Sequence, residues 1–98
     1  MIEINLIISP GVRKKLRDKH NVTEEEIKEC FLNKDEHHGH LEDTRADHKT
    51  DPATMWFISE THGERRLKVV WMSTGKGVVI KSAFPPNEVE ERIYATHA

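Results

Sequence analysis

The chain has one cysteine, no apolar run of bilayer length and almost no net charge: 15 Lys and Arg against 17 Asp and Glu leave −2 over 98 residues. Each lack excludes something. A lone Cys30 forms no internal disulfide, so a reducing compartment is the expected setting, and within Glu-Ile-Lys-Glu-Cys-Phe it reads as a small buried hydrophobe. With no bilayer-length segment and no basic leader ahead of Ile8, a soluble, cytoplasmic protein without a membrane partner is expected. The charge balance excludes general coating of a polyanion, so any nucleic-acid contact has to come from a local patch. A glycine-rich phosphate loop is missing after the first strand, and Gly75-Lys76-Gly77 reads as hairpin chemistry. Neither a His-Glu-x-x-His pattern nor a second cysteine is present. Glu36-His37-His38-Gly39-His40 offers metal-competent groups at a spacing that fits no established site, so no metal and no cofactor are expected.

What is present reads in one order, β-α-α-β-β-β-α, as a single α+β domain over residues 1–98 with no repeat and no linker. Ile2, Ile4 and Leu6 alternate with polar residues as in a half-buried strand. Ser9-Pro10 then supplies an N-cap with proline at the first helical position, Val12 and Leu16 share a helix face, and Asn21 suits a left-handed terminator. Thr23 and Glu26 form a capping box for a second helix with Ile27, Cys30 and Phe31 on its buried stripe. From Asn33 to Pro52 only Leu41 and Ala46 are apolar, which predicts a long loop, least ordered through His40. Three strands near 54–60, 65–72 and 78–84 follow as an antiparallel meander turning at 61–64 and 73–77. Pro85-Pro86 stops the last, and Asn87 with Glu90 caps a closing helix expected to present Val89, Ile93 and Tyr94 to the sheet. Trp71, Val69, Leu67, Ile80, Ile27, Phe31 and Ile93 form the expected core, and Trp56, Phe57 and Trp71 read as packing residues rather than base-stacking ones.

Arg65, Arg66, Lys68, Lys76 and Lys81 interrupt the Val, Ile and Trp runs of this last third. Concentrating cations on a rigid sheet of a net-acidic chain points to a local anion site; a solvated strand face is the plain alternative. Lys68 alternates with Leu67 and Val69, and Lys81 with Ile80, so strict alternation puts both lysines on one face.

These residues resemble the BrnT-like toxins of bacterial type II toxin–antitoxin systems, within the RelE/ParE-like group of small ribonuclease folds. The likeness runs through Leu16-Arg17-Asp18-Lys19-His20-Asn21-Val22-Thr23, the Arg45 region, the strand pair Leu67 to Ile80, and Ser82-Ala83 followed by Glu91-Arg92-Ile93-Tyr94. Asp43-Thr44-Arg45 and Ala83-Phe84-Pro85-Pro86-Asn87-Glu88 also resemble a set of small bacterial proteins often labelled ADP-ribosyl-(dinitrogen reductase) hydrolase. Two departures from the toxin pattern stand out: Ile7-Ile8-Ser9-Pro10 replaces an acidic-Trp-Asp entry, and Phe84 stands where an arginine is expected after Ala83.

The resemblance implies a RelE/BrnT-like fold with a small antiparallel sheet packed on helices, RNA as substrate, a cognate antitoxin as partner, and metal-independent cleavage; homodimerisation stays open. Such cleavage needs cations on the scissile phosphate and a group that moves protons at the 2′-OH and the leaving oxygen. His20, at a helix C-terminus whose dipole favours the protonated form, is the proton-transfer candidate, and Arg45 is the anion clamp of the loop. Lys68 and Lys81 complete the catalytic set, with Arg66 and Arg92 as RNA contacts. The second function class is a non-catalytic module that kept the scaffold, lost the arginine at position 84, and binds protein or nucleic acid.

Overall fold

A computed structural model describes residues 5–35, 37–43 and 53–98. Among them, the chain folds as β1 (Leu6–Ile7), α1 (Pro10–Lys15, continued by a π-helical segment Leu16–His20), α2 (Glu24–Asn33), β2 (Leu41–Glu42), β3 (Thr54–Glu60), β4 (Arg66–Thr74), β5 (Gly77–Phe84) and α3 (Glu88–His97). The helix ends follow their capping residues. Ser9 accepts from the Val12 N–H, and Thr23 with Glu26 and Asn87 with Glu90 close reciprocal boxes. Asn21 adopts the left-handed conformation at φ 52°, its N–H reaching the Leu16 carbonyl to end the π segment.

The five strands form one mixed sheet in the order β1-β5-β4-β3-β2. The meander of β3, β4 and β5 is antiparallel as the alternation predicts. β1 instead pairs parallel with β5, Leu6 opposite Val78 and Ile7 opposite Val79, which corrects the wholly antiparallel sheet expected from sequence. The helical connection after β1 carries the chain over the sheet, so β1 and β5 run the same way. Gly77 makes the join feasible. At φ 145° any Cβ there would meet the Asn5 carbonyl oxygen at 2.6 Å, while Asn5 clips the turn by donating to the Lys76 carbonyl at 2.7 Å.

Strand register sorts the side chains onto two faces. On one, Phe57, Leu67, Val69, Ile80 and Ala83 are buried under α2, whose Ile27 and Cys30 are fully buried and whose Phe31 packs on Phe57 and Trp71. Phe31 and Trp71 are part-buried at the margin of this core. On the other face lie Trp56, Ile58, Arg66, Lys68, Val70 and Phe84, with α3 across them. Here the expected core is corrected: Ile93 is 41% and Val89 59% exposed, and Tyr94 alone of α3 is buried.

Part of the presumed long loop is also structure. Leu41 and Glu42 pair with Trp56 and Met55, making β2 the sheet's edge. His38, Gly39 and His40, expected to be least ordered, are fastened on both faces. Tyr94 donates its hydroxyl to the Gly39 carbonyl at 2.9 Å and stacks on His38, while His40 packs edge-on against Phe57 and Trp71. Aromatic contact and one hydroxyl supply what apolar periodicity lacks. No helix among the described residues is long and apolar enough to cross a membrane.

Candidate functional site

Alternation on β4 puts Arg66 and Lys68 two residues apart on the α3 face, about 7 Å along the strand. The capping box sets the phase of α3, so Glu90 and Glu91 in its first turn come down onto these cations. Lys68, itself buried, donates from Nζ to Glu90 Oε2 at 2.6 Å. Its ammonium stands 4.5 Å from the Trp56 ring centroid and 5.6 Å from that of Phe84. Such contact with two aromatic faces adds to the stabilisation of a desolvated cation. Glu90 works twice, since its other oxygen accepts the Asn87 backbone N–H at 3.0 Å.

Arg66 grips Glu91 with two parallel bonds, Nε and Nη2 each 2.7 Å from a carboxylate oxygen, and Nη1 reaches Glu60 at 3.3 Å. The pairing raises the Arg66 guanidinium above its ordinary range, chiefly through the Glu91 hydrogen bonds, and holds the Glu91 carboxyl below its own. Two clefts flank α3. One of about 680 Å³ is lined by Asn33, His38, His62, Arg66, Glu91 and Tyr94, and one of about 510 Å³ by Leu41, Asp43, Trp56, Lys68, Glu90 and Ile93.

The other candidates scatter around this pair. His20 ends the π segment with its ring 5.4 Å from that of Phe84, so Phe84 touches both His20 and Lys68. Burial first, then Lys15 and Lys19, lower the imidazole below its ordinary value, against the rise expected from a helix C-terminus. The carbonyls that would produce that rise are already engaged, because Arg65 donates to the carbonyls of His20 and Asn21 at 2.8 and 2.7 Å. Lys81 is exposed on β5, three residues from Phe84, or about 10 Å. A register shift opposite Val70 and Trp71 leaves it outside the pairing, so the alternation that would align it with Lys68 is interrupted there. Arg92 is exposed on α3, and Arg45 lies outside the described residues.

Of the five cations that suggested an anion patch, three are thus engaged within the fold: Arg65 on backbone carbonyls and Glu26, Arg66 on Glu91 and Glu60, and Lys68 on Glu90. The carboxylates that hold them escape a reading guided by apolar spacing, which turns Val89 and Ile93 inward. A signal was available, since basic residues on a sheet face call for acids on the helix that covers it, and Glu90, Glu91 and Tyr94 lie on one helical stripe. Among the described residues, no group of three His, Cys, Asp or Glu is placed to hold a metal ion. His38 and His40 occupy opposite faces of the sheet. Burial, with Glu26 and Glu29 nearby, pushes the Cys30 thiol up to about 12, far from a nucleophile at neutral pH. Compared with known proteins, the chain matches no family model, no curated protein and no solved structure.

Proposed function

We propose that the chain is a RelE/BrnT-like toxin domain of a type II toxin–antitoxin pair, acting in the cytoplasm on RNA without a metal. What carries the reading is one juxtaposition: a strand face bearing Lys68 and Arg66 beside aromatic Trp56 and Phe84, with His20 packed on Phe84. Cations beside aromatic rings suit a single-stranded nucleic acid, whose phosphates pair and whose bases stack. A histidine held below its ordinary value is neutral at pH 7 and can take the proton of a 2′-OH as that oxygen attacks phosphorus. Lys68 offsets the charge that builds on the phosphoryl oxygens, Lys81 adds a cation to the phosphate-binding surface, and the imidazolium formed on His20 returns its proton to the leaving oxygen. Arg45 and Arg92 extend the phosphate contacts, and a cognate antitoxin restrains the activity.

A specific observation favours a second reading. Phe84 occupies the position where the resemblance calls for arginine, and packs on Lys68 and His20. A scaffold without that planar clamp binds RNA or protein without cutting it. Induced expression with growth and RNA integrity followed together separates the two. The toxin reading expects growth arrest and RNA cleavage that survives EDTA in vitro and disappears in His20→Ala. Intact RNA with retained, salt-dependent binding establishes the module instead, and neither arrest nor binding removes both.

A further inference from the structure

The α3 helix docks by the wrong stripe. An amphipathic helix ordinarily buries its apolar face, yet here Val89 and Ile93 are left 59% and 41% exposed while Glu90 and Glu91 meet the sheet. Pro85 and Pro86 separate the helix from β5, and Tyr94 is its one buried anchor. We propose that α3 is a detachable acidic cover, with Glu90 and Glu91 occupying Lys68 and Arg66 in place of RNA phosphates, so that RNA binds by displacing the helix about Pro85-Pro86. The inference rests on the RNA-directed reading above and assigns that site its regulation.

Three observations support it. The carboxylate of Glu91 takes both prongs of the Arg66 fork, the geometry in which a phosphate would be held. The side chains of that pair are 44% and 35% exposed, so salt and competing anions reach it. Beneath the helix lies a surface fit for the incoming ligand, since moving Glu90 away leaves Lys68 between Trp56 and Phe84, a cation flanked by two stacking platforms. Covered, that site is neutralised; uncovered, it is basic and aromatic.

The test compares wild type with Glu90→Gln/Glu91→Gln. Glutamine at position 90 keeps the capping box through its single carbonyl oxygen and gives up the carboxylate oxygen that holds Lys68, so the helix cap is retained while the charge facing the cation is removed. A control, Glu25→Gln/Glu64→Gln, makes the same change in net charge at exposed positions that hold neither Lys68 nor Arg66. Binding of a labelled single-stranded RNA oligonucleotide is measured over a KCl series, with amide exchange of residues 88–97 followed with and without RNA. The double variant should bind about tenfold tighter than both wild type and control, and RNA should speed α3 exchange in wild type. If wild type binds RNA while α3 stays protected and the variant binds no tighter than the control, the cover is overturned and the RNA reading stands. If neither protein binds RNA even at low salt, the RNA reading falls and takes the cover with it.

Discussion

The two faces of the sheet are held by different physics. Under α2 the contact is dry: Phe57, Leu67, Val69, Ile27 and Cys30 are all fully buried. Under α3 the sheet buries Trp56 and Ile58, but the helix itself contributes one buried residue, Tyr94, which packs on Trp56, and two ion pairs. Apolar burial stabilises by about 25 cal/mol per Å² and is not screened by salt, whereas ion pairs yield to salt and acid. A fold built this way can loosen one face and keep the other. The α2 side is therefore the scaffold, and the α3 side is where change is available for function.

Phe57→Ala should break the scaffold and show the largest effect. It opens a cavity under Phe31 and His40 in the dry face, and removing a buried phenylalanine costs about 3–5 kcal/mol. Denaturant unfolding measures this, and labelling of Cys30, silent in the native protein, reports the same opening. Tyr94→Phe should cost less, about 1–3 kcal/mol. The ring remains against Trp56, but the hydroxyl that donates to the Gly39 carbonyl is lost, leaving that carbonyl without its partner. Amide exchange should quicken across α3 and β2 while α2 stays protected. Uniform loosening of both faces would refute the division.

Mild acid sharpens the comparison from the other side. His40 accepts from the Trp71 indole N–H through Nδ1 at 3.2 Å, so it is neutral with its proton on Nε2. Burial, then Lys34, lowers it below the ordinary 6.5. The unfolded chain therefore binds this proton more readily than the folded one. The contribution of His40 is present above pH 6.5 and is lost as pH falls from there toward the lowered folded value. His20, lowered as well, adds to the same slope. Thermal unfolding from pH 7.5 to 5 should show the decline, and His40→Gln, which can still accept from Trp71, should flatten it.

Local chemistry made much of this legible. Ser9, Thr23, Asn21 and Asn87 act within one turn of themselves, and strand alternation needs only its own residues, so helix ends and the meander could be read directly. Four of the seven expected core residues, Leu67, Val69, Ile80 and Ile27, are buried outright. Features set by distant partners were not legible. The parallel pairing of β1 depends on where a helical connection lands, β2 has two residues and one apolar side chain, and the shift near Lys81 is a property of two strands. The candidate site suffered most. Its cations were visible in the strands, but their carboxylates belong to a helix whose docking phase is decided by charge across the interface rather than by its own apolar spacing.

The smallest expected effect tests that last point. Glu91→Gln removes one charge from a pair that is more than a third exposed, so solvent screening limits the loss to about 0–1 kcal/mol at low salt. The sign with pH is fixed by the pairing. Arg66 holds the Glu91 carboxyl below its ordinary 4.5, so the folded chain gives up this proton more readily than the unfolded one. The pair's contribution is complete above pH 4.5 and drains away as pH falls below that value through the folded one. Wild type and Glu91→Gln should converge in stability below this window, and also at pH 7 when salt is raised to about 1 M, where screening lengths fall to about 3 Å. A difference that persisted at high salt would show Glu91 acting through packing rather than charge, and α3 would then be fastened as firmly as α2.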